Sequence, residues 1–217
     1  MRNAHTGVNR RHFIASAALL ALGTATQAAQ QHHILVLGDS LSAEYGLPRG
    51  SGWVALLEQK LQAEKRRATL TNASISGETT AGGRSRLPAL LQQHQPSIVI
   101  IELGGNDALR GLPLASTLDN LRAMSQAAQA AGAKVMLLGM QMPPNYGRQY
   151  AQDFEAMYAK VAKEFQTALV PAFLKGVADA PTNPLALFQA DRIHPTAQAQ
   201  PIMLANVWPL LQPLLRP

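Results

Sequence analysis

From His33 onward, five short apolar runs alternate with longer segments whose apolar positions recur every three or four residues. The runs are His33–Leu37, Thr69–Ser74, Ser97–Glu102, Lys134–Gly139 and Ala168–Pro171. Several are almost wholly apolar, as parallel strands covered on both faces are. Trp53–Lys65 carries Val54, Leu57 and Leu61 at helical spacing. Ser85–His94, Ser116–Ala131 and Tyr150–Phe165 are further helical segments, and Thr196–Leu214 closes the chain, bent or broken at Pro201 and Pro209. Strand–helix alternation requires right-handed crossovers. The pattern therefore predicts one α/β domain, a single parallel sheet between two helix layers.

The first 28 residues do not share this pattern. They read as an export signal, leaving residues 29–217 as the folded domain. Arg2, Arg10 and Arg11 make a basic start with no acid, and Phe13 to Leu22 is apolar but shorter than the roughly 20 residues a bilayer span needs. Thr26-Gln27-Ala28 offers a cleavage site, and Asn9-Arg10-Arg11-His12-Phe13-Ile14 resembles a twin-arginine signal. The expected location is the periplasm, with no stable membrane anchor. The leader also explains much of the charge. The chain has 19 Lys and Arg against 13 Asp and Glu, net +6; without the three leader arginines it is 16 against 13, or +3. The densest later basic run is Lys65-Arg66-Arg67, too short for a nucleic-acid patch, so no nucleic-acid partner is expected and a monomer is. With no cysteine in the chain, disulfides, thiolate metal ligands and a cysteine nucleophile are excluded.

Sites in open parallel sheets form beyond the C-terminal strand ends. The first run is followed by Gly38-Asp39-Ser40-Leu41-Ser42, the second by Ser76-Gly77-Glu78, and the third by Gly104-Gly105-Asn106-Asp107. Asp191-Arg192-Ile193-His194-Pro195 lies between the fifth run and the last helix. A serine hydroxyl attacks only when a base removes its proton. Histidine, with a reference pKa of about 6.5, is such a base. A carboxylate on its other ring nitrogen fixes the tautomer. Fixed N–H donors then stabilise the oxyanion. Singly, each segment is an ordinary turn; their joint placement points to acyl transfer. Past the leader only His32, His33, His94 and His194 remain, and only His194 has an acid close by on this rim. The chain has no His-Glu-x-x-His pattern, Gly-x-Ser-x-Gly elbow or phosphate loop, so neither a metal nor a cofactor is expected.

The order Gly38-Asp39-Ser40-Leu41, Gly77, Gly104-Gly105-Asn106-Asp107 and Asp191-x-x-His194 resembles the SGNH, or GDSL, hydrolases, and within them the exported bacterial multifunctional acyl-hydrolases. Asn72 to Gly77, Arg86 to Leu91 and Asn145-Tyr146-Gly147-Arg148 add to the likeness, which runs from about His33 to Leu214. The resemblance implies a three-layer αβα sandwich with a five-stranded, flavodoxin-like parallel sheet. It implies Ser40 as nucleophile, His194 as base and acid, Asp191 as its orienter, and an oxyanion hole from Ser40, Gly77 and Asn106. Leu109, Arg110, Met142, Pro143 and Tyr146 would contact substrate. Gln141 and Met142-Pro143 depart from the close relatives, which often place a basic residue and a leucine before that proline. The implied activity is cleavage of acyl thioesters, aryl esters and lysophospholipids through an acyl-enzyme. The alternatives are a carbohydrate O-acetylesterase of the same superfamily and a catalytically inactive binding domain.

Overall fold

A computed structural model describes residues 1–2, 31–142, 146–180 and 183–216. Almost all of the expected export signal lies outside the described residues, as does Pro143. The five strands are β1 (His32–Gly38), β2 (Ala68–Asn72), β3 (Ile98–Glu102), β4 (Lys134–Leu138) and β5 (Ala168–Val170). They form one parallel sheet in the order β2-β1-β3-β4-β5.

Each strand's alternate side chains serve opposite faces. Leu35, Leu37, Val99, Ile101, Val135 and Leu137 pack against α2 (Thr80–His94), α4 (Leu114–Ala130) and α5 (Arg148–Phe165). Ile34, Val36, Ile98, Ile100, Met136 and Leu138 meet α1 (Trp53–Ala63) and α6 (Gln200–Leu211). Every one of these twelve strand side chains is at most 2% exposed. Two-sided burial is why the strands read as unbroken apolar runs. Among the described residues, no helix is long and apolar enough to cross a membrane.

Three elements differ from the sequence expectation. The second helix begins at Thr80, five residues earlier than expected, because the Thr79 hydroxyl accepts the Gly82 N–H as an N-cap. Gly82 and Gly83 weaken helical propensity but sit inside the helix; a Cβ on Gly83 would lie 2.3 Å from a Leu103 methyl. The Asn106 turn is a short helix, α3 (Gly105–Leu109). The last segment opens with a 3-10 turn, and Pro201 starts α6 rather than breaking it, since its missing N–H falls in the first turn.

Candidate active site

The crossing from β1 to its loop sets the first group. After Gly38 the chain turns sharply, with the Asp39 carbonyl accepting the N–H groups of Ser42 (3.2 Å) and Ala43 (3.0 Å). The turn leaves Ser40 on the rim. Its Oγ lies 2.8 Å from His194 Nε2, and His194 Nδ1 lies 2.7 Å from Asp191 Oδ2. These atoms come from the two ends of the domain, 154 residues apart. With Nδ1–H turned to a carboxylate, neutral imidazole presents Nε2 as an acceptor to the hydroxyl.

The Asp191 loop is held locally. Its Oδ1 accepts the N–H groups of Ile193 (2.9 Å) and His194 (3.0 Å). Together with the His194 side chain, these donors lower its carboxyl to about 2. A bridge between Phe188 and Pro195 closes the loop, and the Gln189 N–H donates to the His194 carbonyl (2.8 Å). Gln189 also reaches across to the first loop: its Nε2 donates to the carbonyls of Tyr45 (2.9 Å) and Pro195 (3.1 Å). Gly46, at φ +68°, adopts a backbone conformation that other residues rarely take, and a Cβ there would displace Gln189 Oε1, 2.1 Å away. The Tyr45 ring then lies 4.3 Å from the His194 ring, tilted by 39°.

Asn106 lines the same cleft as His194, and its Nδ2 donates to Asp39 Oδ2 at 2.9 Å. Its neighbour Asp107 is buried and anchors α3 by accepting the Thr80 N–H (2.8 Å). Gly77, at φ +79°, lies on the loop after β2, and its carbonyl accepts from Arg110 at 2.7 Å. Behind these groups are two buried acids. Glu102 is fully buried; its Oε2 accepts from Ser42 Oγ (2.7 Å) and the Asp39 N–H (3.3 Å). Burial, then the Asp39 charge, pushes Glu102 well above the usual carboxylate range. Burial likewise raises Asp39 to about 6, against donors from Leu41 and Asn106.

Ser40, Asn106 and His194 open onto a cleft of about 330 Å³. Leu41, Leu109, Met140, Met142, Leu174 and Phe188 give it apolar walls. Of the expected substrate contacts, Leu109 and Met142 therefore line the cleft. Arg110 and Tyr146 are not among its walls: Arg110 turns to Gly77, and Tyr146 stacks on Tyr150 at 6.4 Å. Among the described residues, no three His, Asp or Glu side chains cluster as metal ligands would.

A sequence model of the GDSL-like lipase/acylhydrolase family matches residues 36–201, most of the chain. The chain belongs to that family. Esterase TesA of Pseudomonas aeruginosa is 53% identical over 196 residues, covering 90% of this chain and 96% of TesA. A crystal structure of TesA superposes with a TM-score of 0.80, covering 84% of this chain and 99% of the other. Thioesterase 1/protease 1/lysophospholipase L1 of Escherichia coli K12 is 44% identical over 189 residues, 87% of this chain and 88% of that one. The psychrotrophic esterase EstA from a Pseudoalteromonas species, solved inhibited by monoethylphosphonate, is 40% identical with a TM-score of 0.79, covering 85% and 98%. This GDSL-family chain is thus an enzyme, a hydrolase of the esterase and thioesterase type with the αβα fold expected of it.

Sequence reasoning did not anticipate Tyr45, Gln189 or the Asp39–Glu102 pair in this GDSL-family site. One signal was present for the last: Glu102 is an acid ending an otherwise apolar buried strand. No local signal marks Gln189, which acts by joining two loops 144 residues apart.

Proposed function

We propose that the protein is a serine acyl-hydrolase that cleaves carboxylic esters and thioesters through an acyl-enzyme. What supports this reading is the chain of contacts from Asp191 through His194 to Ser40, at 2.7 and 2.8 Å. Ser40 Oγ attacks the acyl carbon while its proton passes to His194 Nε2. The tetrahedral oxyanion takes hydrogen bonds from the Ser40 and Gly77 N–H groups and from Asn106 Nδ2. As it collapses, the C–O or C–S bond breaks and His194 returns the proton to the leaving group. Water then attacks the acyl-enzyme by the same route, giving the carboxylic acid and free Ser40. Asp191 stays ionised throughout and steadies the imidazolium.

The apolar cleft walls favour a fatty or aryl acyl group, and the names borne by the relatives fit thioesters and lysophospholipids. The test is kinetics on p-nitrophenyl esters of rising chain length, with an acyl-thioester alongside. Turnover should extend beyond acetate. Activity confined to acetylated sugars would instead make this a carbohydrate O-acetylesterase. Ser40→Ala and His194→Ala should each lower kcat by roughly 10³-fold or more. Ser40→Ala should also abolish labelling by a fluorophosphonate probe, and a wild-type chain that stays unlabelled would sink the proposal.

Residues 1–28 we read as a twin-arginine export signal that delivers a monomeric enzyme to the periplasm. The basic, acid-free start around Arg10-Arg11 supports this. Arg10→Lys with Arg11→Lys should leave the enzyme in the cytoplasmic fraction. Unchanged export of that pair would point to the general secretory route.

A further inference from the structure

An asparagine amide donates from one end and accepts from the other, and its shape alone does not choose which end faces a ligand. Asn106 needs a neighbour that chooses. That neighbour is Asp39 Oδ2, 2.9 Å from Asn106 Nδ2, with Asp39 Oδ1 fixed by the Leu41 N–H at 3.0 Å. An ionised Asp39 tolerates only the N–H end, so the second N–H of that amide is left for the cleft. Asp39 is 2% exposed, and a charge so buried needs company. Glu102, directly beneath it, is fully buried, and its Oε1 has no hydrogen-bond partner. Two adjacent buried carboxyls do not both ionise. Glu102, with an unpartnered oxygen, is the one that keeps its proton. Its Oε2 is fixed by Ser42 Oγ, itself fixed by Trp53 Nε1 at 3.1 Å.

We propose that Asp39 is a positioning residue that orients the Asn106 amide as an oxyanion donor, with neutral Glu102 holding Asp39 in place as the single charge beneath the site. The inference rests on the acyl-transfer role given above to Asn106. The other titratable groups around the pair are His194 from the last loop, Asp107 from α3 and Tyr158 from α5. The Tyr158 hydroxyl is committed to the Leu103 carbonyl at 2.9 Å, and Asp107 to Thr80.

A double-mutant cycle on a soluble p-nitrophenyl ester tests this. Asn106→Ala should lower kcat by on the order of 10²–10³-fold. Asp39→Asn should lower kcat roughly 10- to 100-fold with KM within about twofold, because the amide is then free to turn. In the Asn106→Ala background, Asp39→Asn should cost less than about threefold, since there is no amide left to orient. Glu102→Gln, a neutral isostere, should keep kcat within about threefold, whereas Glu102→Ala should not. An equal Asp39→Asn loss in both backgrounds overturns the inference, as does a Glu102→Gln loss matching that of Glu102→Ala. If Asn106→Ala itself is silent, the oxyanion role given to Asn106 fails, while labelling of Ser40 still decides the function proposed above. Should Asp39→Asn not fold, the wild-type pH profile decides. Below about pH 6, wild-type kcat should fall more steeply than that of Asn106→Ala, because protonation of Asp39 matters only where the amide is present. Equal steepness in the two overturns the inference.

Discussion

Asp39 is the residue where burial and ionisation conflict most directly. Its carboxyl is raised to about 6 by desolvation, whereas in the unfolded chain it returns to the ordinary carboxylate value near 3.9. The folded state therefore holds this proton more tightly. The resulting stability is fully present below about pH 3.9 and is lost as pH rises through about 6. A two-unit displacement corresponds to on the order of 2–3 kcal/mol. We expect wild-type Tm to decline across pH 4 to 7 by several degrees more than that of Asp39→Asn, measured by calorimetry. Asp191 has the opposite sign. Its carboxyl is depressed to about 2, so its contribution is present above the ordinary value and lost only as pH falls through about 2. Being largely solvent-exposed, it contributes little to stability, and its effect belongs to His194.

At the scale of elements, the short helix α3 is what aims Asn106. Its start depends on Gly104, at φ +122°, where a Cβ would also lie 2.4 Å from the Tyr158 hydroxyl. Gly104→Ala should destabilise the fold by about 2–4 kcal/mol, read as a lower denaturation midpoint. It should also lower kcat more than KM changes, because α3 shifts. This helix was not legible in the sequence. Gly104-Gly105-Asn106-Asp107 has turn composition, and five residues are too few to show a helical period. The longer helices were legible because their buried stripes repeat over several turns. Thr80–His94 was recognised only from Ser85, since Gly82 and Gly83 argue locally against a helix that the Thr79 cap and close packing on Leu103 impose. All five strands fall within a few residues of the expected runs, because two-sided burial writes itself directly into composition.

Across the whole molecule, the parallel sheet gathers loops from distant parts of the chain onto one rim. The strand order places β1 between β2 and β3, so the Ser40 loop is flanked by those of Gly77 and Asn106. The fourth segment, Asp191–His194, lies beyond β5, and Gln189 ties it to Tyr45 on the first loop. Gln189→Ala should lower kcat roughly tenfold while shifting Tm by only a few degrees, since it loosens the two loops against each other without touching the core. A parallel fall in fluorophosphonate labelling would place the loss at the Ser40–His194 contact, whereas unchanged kcat would show that the core alone sets the distance.

By itself, the sequence determined the αβα architecture, the rim on which reactive groups gather, and the candidate set Ser40, Gly77, Asn106, Asp191 and His194. Strand burial and turn chemistry are local properties, carried by residues close together in the chain. The tertiary structure alone decided that Ser40 Oγ and His194 Nε2 meet at 2.8 Å, that Tyr45 covers His194, that Arg110 turns to Gly77, and that Asp39 and Glu102 lie buried behind Asn106. Each of those facts depends on desolvation or on a contact between segments far apart in sequence. Neither exists until the sheet has closed and water has been excluded.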